Sequence, residues 1–487
     1  MTRPAAGTTA VVVGSGPGGL AAALTLATAG CDVTVVEAAA TTGGGLRSAE
    51  LTLPGLVHDH CAGFHPLAVD NAFTGRHDLA GHGLAWARAP IEMAHPLTDG
   101  TGAVVERDLE TTVAGLAALS PRDARTWRRL FGPAAARWDA VRAEIGRPVV
   151  HLPRHPLALA SFGARAAAPA AVVARAFEDP RVAALWLGIA AHGFRPPSEP
   201  FTSAAGLALG TAAHVTGWPV AVGGSQRYAD ALVGVLRAHG GRLETGHRVT
   251  SLAELRAATG ADVVMLDTSP RDAARILGDA QPDRLRRRYA GWRHLVGAFG
   301  VSLAVEGGIP WAHEPSRRAA VVHVGGAPDV LAASARAVRA GRVPAHPFVL
   351  VGQQAVADPA RGRDGVVPVD AYAHVPAGFE GDLTALVLAE LEAHAPGLRD
   401  RVRAVVTRTP AETERDGINF VDGDISTGAV DARQLLLGPR PGRSPYPTGV
   451  PGVYLCSAAT APGPGAHGLT GYGAARRALA DLAGGRG

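Results

Sequence analysis

A strand, a glycine-rich turn, a helix and a second strand follow one another near the start of the chain, and this unit constrains the fold most. Residues 10–13 are apolar and mostly β-branched, residues 20–29 are rich in Ala and Leu, and residues 32–37 form another β-branched run that ends in Glu37. Alternation of strands and helices in this way is typical of a parallel sheet in an α/β fold.

The turn between the first strand and the helix has the composition of a phosphate-binding loop. Its relevant residues are Gly14, Ser15, Gly16, Gly18 and Gly19. In a dinucleotide-binding fold one glycine permits the sharp turn, one lets the backbone approach the pyrophosphate, and one allows close packing of helix on strand. Glu37 stands where a carboxylate accepts hydrogen bonds from ribose hydroxyls and disfavours a 2′-phosphate. This unit alone leaves NAD and FAD as alternatives.

A second glycine cluster beyond Glu37 favours FAD. Residues 42–48 read Thr-Gly-Gly-Gly-Leu-Arg-Ser. This pattern resembles the second FAD motif of the amine-oxidase and phytoene-desaturase superfamily. The resemblance implies that the backbone of Gly43 and Gly44 and the side chain of Arg47 contact the pyrophosphate region of a non-covalently bound FAD.

The C-terminal part resembles the segment of this superfamily that places a helix N-terminus against the flavin. Residues 451–458 predict a strand, and a Gly/Pro-rich loop then leads into a helix that begins near Leu469. The resemblance implies that Gly468, Leu469 and Thr470 lie at the flavin. The positive end of the helix dipole suits the negative charge that reduced flavin carries.

The middle of the chain completes the cofactor domain in the same comparison. Residues 226–239 predict a helix, and residues 242–249 and 261–266 predict strands. In the family, the backbone near Val249 holds the adenine ring, so Val249 joins the predicted cofactor-binding residues.

The resemblance is most specific to the phytoene-desaturase-like FAD-dependent oxidoreductases, in the branch that includes pyridine nucleotide-disulfide oxidoreductase domain-containing protein 2. The stretches that carry it are residues 53–67, 217–225, 422–425 and 462–472. Two departures stand out. Residues 417–420 read Gly-Ile-Asn-Phe where an Asn-Pro-Asn stretch is more usual in the family. Just before Gly471, Leu469-Thr470 also departs from the family pattern.

We therefore expect an α/β protein with a discontinuous Rossmann-type FAD-binding domain built from residues 1–75, 215–290 and 440–487. Residues 76–214 are expected to form a helical cap and substrate region, because residues from Thr111 to about Ala213 have helical spacing of Ala, Leu and Val. Residues 291–439 contain β-branched runs and predict a mixed sheet that covers the flavin.

Composition excludes several other classes of protein. The 47 basic and 43 acidic residues leave a net charge of only +4, so nucleic acid is not indicated as a partner. The chain contains no lysine, which rules out Schiff-base and P-loop chemistry. Its three cysteines are far apart, as expected in a reducing cytoplasm. The 19 histidines show no zinc-type spacing, so we expect no metal, and no segment predicts a transmembrane helix.

The resemblance implies a dehydrogenase that desaturates an extended hydrophobic substrate, such as a polyene, an isoprenoid or a carrier-bound polyketide lipid, in natural-product biosynthesis. Hydride transfer to flavin N5 leaves a proton that needs a base, and His65 and His467 are the candidates because histidine titrates near neutral pH. Double-bond isomerisation without net redox and flavin binding without catalysis stay open as alternatives. The substrate, the electron acceptor, the oligomeric state and peripheral membrane contact are also left open.

Overall fold

The computed structural model describes residues 7–294, 296–429 and 431–484. In chain order the strands are β1 Thr9–Val13, β2 Asp32–Val36, β3 Ser48–Glu50, β4 Val57–Asp59, β5 Trp86–Ala87, β6 Ile91–Pro96, β7 Gly102–Val105, β8 Val220–Ala221, β9 Arg242–Glu244, β10 Val263–Leu266, β11 Val296–Glu306, β12 Ala319–Val324, β13 Val349–Gly352, β14 Val366–Pro376, β15 Val402–Arg408 and β16 Val453–Leu455.

The helices, in the same order, are α1 Pro17–Thr28, α2 Leu109–Ala117, α3 Pro121–Ala135, α4 Trp138–Ile145, α5 Pro156–Ala166, α6 Ala170–Ala174, α7 Pro180–Ala191, α8 Ser203–Val215, α9 Gln226–Ala238, α10 Leu252–Thr259, α11 Pro270–Leu277, α12 Asp283–Ala290, α13 Pro328–Arg339, α14 Gln354–Ala357, α15 Thr384–His394, α16 Leu398–Arg401, α17 Pro410–Asp416, α18 Ala432–Leu437 and α19 Leu469–Ala483.

A parallel five-stranded sheet with the order β16-β10-β1-β2-β9 forms the first lobe. In the register, Val11 lies beside Thr34 on one side and Val264 on the other, and Val264 in turn lies beside Val453. The C-terminal strand β16 therefore completes a sheet that the first residues begin. The alternating apolar side chains of β1 and β10 are buried on both faces, as parallel sheets require.

Helices cover both faces of this sheet. Helices α1, α9 and α19 pack on one face, and α10, α11 and α12 pack on the other. Helix α1 starts with Pro17, which is tolerated there because the first N–H groups of a helix have no partner within the helix. The helix is buried from Gly18 to Ala27. The α/β fold with a Rossmann-type domain that was predicted from the sequence is confirmed.

The second lobe is a seven-stranded mixed sheet with the order β15-β11-β14-β13-β12-β6-β7. Its pairs are antiparallel except for β6 beside β12. Helices from α2 to α8 pack over one face through a large apolar cluster, and α15 and α16 cover the other face. The cap and the mixed sheet thus share one core.

One segment of the predicted helical cap has a different secondary structure from the one expected. Residues 91–105, which we assigned to the helical cap, form β6 and β7 and extend the mixed sheet. Their short apolar runs are compatible with strand or helix, and pairing with β12 decides between them. The domain boundaries themselves stay a prediction. Among the described residues, none of the helices combines the length and the apolar character needed to cross a bilayer.

Candidate active site

Four strands of the parallel sheet end at one edge, and the residues that follow them surround a crevice. Gly14 follows β1, Glu37 follows β2, Asp267 follows β10 and Cys456 follows β16. In open α/β sheets, ligands bind outside the carboxyl ends of the strands. A cavity of about 660 Å³ occupies this crevice, and Gly14, Glu37 and Asp267 line it.

The first glycine loop has no space for side chains. Gly14 has a φ of +98°, a conformation that favours glycine, and its N–H donates to the carbonyl of Val36 at 2.8 Å. A Cβ atom on Gly19 would lie 2.1 Å from the carbonyl oxygen of Gly14, so α1 packs directly on the end of β1. Cβ atoms on Gly16 and Gly18 would approach other atoms to within 2.6 and 2.5 Å. The nearest atoms are backbone carbonyl oxygens at Gly14, Gly18 and Gly19, whereas at Gly16 the nearest atom is Oδ2 of Asp267.

The second glycine cluster touches the first. The N–H of Gly43 donates to the carbonyl of Ser15 at 3.1 Å, and a Cβ atom on Gly44 would lie 3.0 Å from the Cα of Gly16. Gly44 and Arg47 line the cavity, and Nε of Arg47 donates to the carbonyl of Gly44 at 3.1 Å. Two motifs that are separate in sequence therefore form one wall.

Glu37 is engaged by its neighbours but keeps capacity for a ligand. Its Oε2 accepts from the N–H of Ser15 at 2.8 Å and from the Ser15 hydroxyl at 2.6 Å, and its Oε1 accepts from the N–H of Ala39 at 2.8 Å. A carboxylate has about four acceptor sites, so one more hydrogen bond is available to a hydroxyl in the cavity.

The wall at the other side of Glu37 is formed by the chain after β9. His247, Arg248, Val249 and Thr250 line the cavity. The N–H of His247 donates to the carbonyl of Glu37 at 2.9 Å, which fixes this segment beside β2. Val249 thus lines the cavity two residues from His247, on the segment that is bonded to Glu37, whose carboxylate is expected at the ribose.

The C-terminal helix reaches the crevice with its first turn. Gly468, with a φ of +72°, precedes α19, and Thr470 lines the cavity, whereas Gly468 and Leu469 are not among its lining residues. A Cβ atom on Gly471 would lie 1.8 Å from the carbonyl oxygen of Gly18. Helix α19 therefore crosses α1 in backbone contact, and this contact brings its N-terminus to the cavity.

His65 is placed away from the cavity wall. Its Nε2 lies 2.9 Å from the hydroxyl of Ser225, which itself donates to the carbonyl of Ala62 at 2.5 Å, so Nε2 is the donor. The ring packs against Trp86 and Tyr228. Burial is the main cause that lowers the pKa of His65 to about 4.

His467 is likewise not among the lining residues. Its Nδ1 accepts from the N–H of Leu469 at 3.1 Å at the start of α19. Burial lowers its pKa to about 4, against the opposing effect of backbone hydrogen bonds with Gly463 and Pro464. The catalytic roles of His65 and His467 stay predictions.

A third histidine, missed by the sequence analysis, does line the cavity. His192 follows α7, and its Nε2 lies 2.9 Å from Nε2 of His323. Its ring meets that of Trp218 edge to face at 5.1 Å. Burial lowers the pKa of His192 to about 3 and that of His323 well below its usual value. Both rings are therefore neutral at physiological pH.

Asp267 is the second missed residue. It directly follows the fully buried β10, its side chain is buried, and it lines the cavity beside the first glycine loop. Burial raises the pKa of Asp267 to about 7, and the charge of Glu37 adds to this, while the backbone amides of Gly19 and Gly16 act in the opposite direction. A polar residue after a buried strand at this edge was the signal that could have identified it.

A second cavity of about 570 Å³ adjoins the first. The two share Cys61, Phe64 and Tyr372 among their lining residues. Apolar side chains on the mixed sheet, such as Val301 and Leu350, form much of its wall. The cofactor crevice therefore opens onto a separate chamber above the mixed sheet.

The carboxylates in this chamber are already satisfied. Asp370 lies 2.7 Å from Nδ1 of His58 and 2.9 Å from the hydroxyl of Ser302, and it also accepts from the N–H of Asp59 at 3.0 Å. Asp59 forms an ion pair with Arg361 at 2.5 Å in which both side chains are buried. This network fixes the polar end of the chamber and leaves its apolar walls to a ligand.

These features fit FAD. The crevice is extended, two glycine loops leave backbone exposed where a Cβ atom would collide, and the N-terminus of α1 provides amide groups for a pyrophosphate. Gly14, Gly16, Gly18, Glu37, Gly44, Arg47, Val249 and Thr470 line the crevice and would hold the cofactor. Among the described residues, no group of His, Cys, Asp or Glu is placed to hold a metal ion.

Comparisons with known proteins agree with this site. Residues 12–73 match the NAD(P)-binding Rossmann-like domain family. Cyclohexylamine oxidase from Brevibacterium oxydans shares the fold, with a TM-score of 0.54 and 15% identity over 98% of this chain and 99% of that chain. A mouse protein, pyridine nucleotide-disulfide oxidoreductase domain-containing protein 2, is 38% identical over 93 residues, which cover 19% of this chain and 16% of that protein. This match is too short to assign the branch that the sequence suggested.

Hydroxyneurosporene desaturase from Cereibacter sphaeroides gives the broader match. It is 30% identical over 355 residues, which cover 66% of this chain and 69% of that protein. The crevice described above lies within a fold shared with cyclohexylamine oxidase, and its first unit matches a dinucleotide-binding family. On these grounds the chain belongs to the phytoene-desaturase-like FAD-dependent oxidoreductases.

Proposed function

We propose that this enzyme desaturates an extended, largely apolar molecule, such as a polyene, an isoprenoid or a carrier-bound polyketide lipid. The observation that carries the proposal is the chamber of about 570 Å³ that shares Cys61, Phe64 and Tyr372 with the cofactor crevice. A substrate bound there lies beside one end of the crevice. The name of the relative from Cereibacter sphaeroides, a desaturase, supports the same reaction class.

The reaction requires a hydride acceptor and a proton acceptor. Bound FAD supplies the hydride acceptor at flavin N5. The substrate loses a hydride from one carbon and a proton from its neighbour, and the electron pair left by the departing proton forms the new double bond. The protein must therefore hold two adjacent carbons of the substrate in place and accept one proton from it.

His192 is the proton acceptor in this proposal, ahead of His65 and His467, because it lies on the cavity wall. Its low pKa keeps the ring neutral, and the proposal requires the tautomer in which Nε2–H donates to His323, because only that tautomer leaves Nδ1 free to accept the proton. Protonation is assisted because a negative charge developing on the cofactor in the same cavity favours the imidazolium. His323 holds the ring in one orientation.

The chamber favours a substrate with an apolar body. Its carboxylates Asp59 and Asp370 are used by internal partners, so an apolar ligand beside them leaves neither unpaired. Another part of the wall is charged, with Arg408, Glu412 and Arg415 among its residues. Phe64, Val301 and Leu350 provide contact surface for a chain or ring system.

An apolar surface near the crevice supports peripheral membrane contact. Leu152 and Leu157 are 87% and 77% exposed, and Val149 and Val150 are half exposed beside them. Val149 and Val150 also line a small surface pocket that shares Thr427 with the cofactor cavity. A substrate that partitions into lipid would reach the enzyme most directly through such a surface.

The test is anaerobic mixing of the FAD-loaded enzyme with a panel of polyenes that includes hydroxyneurosporene, and with carrier-bound acyl chains. A desaturase reduces its flavin stoichiometrically, and the oxidised form bleaches as a product with one more double bond appears. An isomerase turns substrate over without lasting bleaching, and a flavin-binding protein without catalysis does neither. Turnover without bleaching, or binding of panel members without any chemistry, would contradict the proposal.

A further inference from the structure

Asp267 occupies the space beside the phosphate-binding loop. Its Oδ2 lies 2.6 Å from the position that a Cβ atom would take on Gly16, and its Oδ1 lies 2.8 Å from the corresponding position on Gly18. These are the glycines whose missing side chains leave room for a pyrophosphate. The carboxyl group therefore borders the notch in which two phosphate charges are to be placed.

The position of Asp267 is fixed by the backbone. Its N–H donates to the carbonyl of Val13 at 2.8 Å, and its carbonyl accepts from Nδ2 of Asn419 at 2.7 Å. Oδ1 of Asn419 in turn accepts from the N–H of Ser269 at 2.7 Å. These bonds hold the backbone of Asp267 beside the loop, so its carboxyl group is attached at a fixed point next to the glycines.

We propose that Asp267 must be neutral when FAD binds, so that binding of the cofactor takes up one proton at this carboxyl group. A carboxylate beside a pyrophosphate is a like-charge contact in a buried site, and each negative group disfavours the other. A protonated carboxyl group removes the repulsion and can donate a hydrogen bond to a phosphate oxygen. Without the cofactor, the amides at the start of α1 favour the ionised form instead.

The surrounding charges do not remove this conflict. Glu37 on the β2 side is a second negative group, and the buried thiol of Cys456 behind the loop has a pKa well above its usual value. On α11, Asp272 is paired with Arg275. Arg248 lines the cavity farther along, on the segment after β9. Arg47 lines the cavity at the second glycine cluster, but the pKa of Asp267 is set by burial, by the amides of Gly19 and Gly16 and by Glu37.

The direction of the pH dependence follows. In the FAD-free protein Asp267 has a pKa of about 7, and the incoming phosphates raise it further. Below this pKa the acid is already neutral and binding costs no protonation. Above it, each pH unit should weaken FAD affinity by about five- to tenfold, until the pKa of the complex is reached.

The experiment measures the Kd of FAD by flavin fluorescence between pH 6 and pH 9 for the parent protein and for Asp267→Asn. The parent should lose affinity above pH 7 with the slope stated above, and the variant should bind with a Kd that changes less than about twofold across the range. Asp400→Asn is the control, an exposed aspartate on α16 that does not line the cavity, and it should keep the parent slope.

Calorimetry in two buffers of different ionisation enthalpy counts the proton directly. At pH 8 the parent should take up about one proton per FAD and Asp267→Asn none. A parent Kd that is flat with pH, or an Asp267→Asn variant that keeps the parent slope, would overturn the proposal. Asp267→Ser replaces the Asn variant if that protein does not fold. The outcome depends on FAD binding alone, so a failure of the proposed desaturation would not affect it.

Discussion

His192 is the residue on which the proposed proton transfer depends. His192→Gln should slow flavin reduction in a single turnover by about a hundredfold or more, as expected when a general base is removed. Because burial holds its pKa near 3, the parent rate at saturating FAD should be flat from pH 6 to pH 9. Stopped-flow absorbance measures both quantities.

The control variants separate catalysis from structure. His239→Gln changes an exposed histidine at the end of α9 and should leave the rate unchanged. His65→Gln and His467→Gln test the two histidines chosen from the sequence. If either of these slows flavin reduction while His192→Gln does not, the base has been wrongly assigned.

Individual glycines of the site were predicted from the sequence, whereas Asp267 and His192 were missed. Gly14 and Gly16 belong to a spaced pattern whose physical purpose is known, so their position in the loop follows from the chain alone. Asp267 and His192 are single residues after apolar elements, and no spacing marks them. Their proximity to the crevice arises only when β10 and α7 are packed.

The contact between α1 and α19 is the element on which the closed crevice depends. Gly471→Val should force these helices apart, since even a Cβ atom would lie 1.8 Å from the carbonyl oxygen of Gly18. Overpacking of this kind typically costs about 1–3 kcal/mol, and backbone contact places this site at the upper end. Thermal unfolding should show a Tm lower by several degrees and weaker FAD retention.

Gly163→Ala is the matched control for this prediction. Gly163 also lies within a helix, α5, but a Cβ atom there would meet nothing within 4 Å. Removing a helical glycine should stabilise the protein by up to about 1 kcal/mol. An unchanged Tm in Gly471→Val would show that the two helices do not pack as described.

The exposed apolar residues before α5 and in its first turn provide a test of membrane contact. Replacing Leu152 and Leu157 with Ser should reduce co-sedimentation with vesicles of mixed neutral and anionic lipid, because these side chains present the largest exposed apolar area of the segment. Val343→Ser changes an exposed apolar residue elsewhere and serves as the control. Equal sedimentation of all three proteins, or none by the parent, would contradict peripheral binding through this surface.

The helices of the cap and the strands of the parallel sheet beside the glycine motifs were predicted, whereas two strands of the mixed sheet were missed. The helices after Thr111 and the strands β1, β2, β10 and β16 follow from apolar spacing. The pair β6 and β7 was missed because a run such as residues 91–96 is equally compatible with a helix until its neighbour β12 is known. The predicted strand at residues 242–249 is only Arg242–Glu244 in the structure, since residues 247–250 leave the sheet to line the cavity.

At the scale of the whole molecule, one sheet is assembled from segments at the two ends and the middle of the chain. The order β16-β10-β1-β2-β9 brings together residues 9–36, 242–266 and 453–455. Family resemblance indicated this arrangement, whereas the chamber between the lobes could not be read from the sequence. Its shape depends on how the mixed sheet and the cap pack on each other.

The most direct test of this account is the flavin content of the purified protein. After reconstitution with FAD and removal of free cofactor at pH 6.5, the absorbance near 450 nm should correspond to about one FAD per chain. Gly16→Val should contain none, because its side chain would fill the approach to the loop, while Gly163→Ala should contain as much as the parent. A folded parent protein without flavin absorbance, or a Gly16→Val variant that retains a full complement of FAD, would contradict the account.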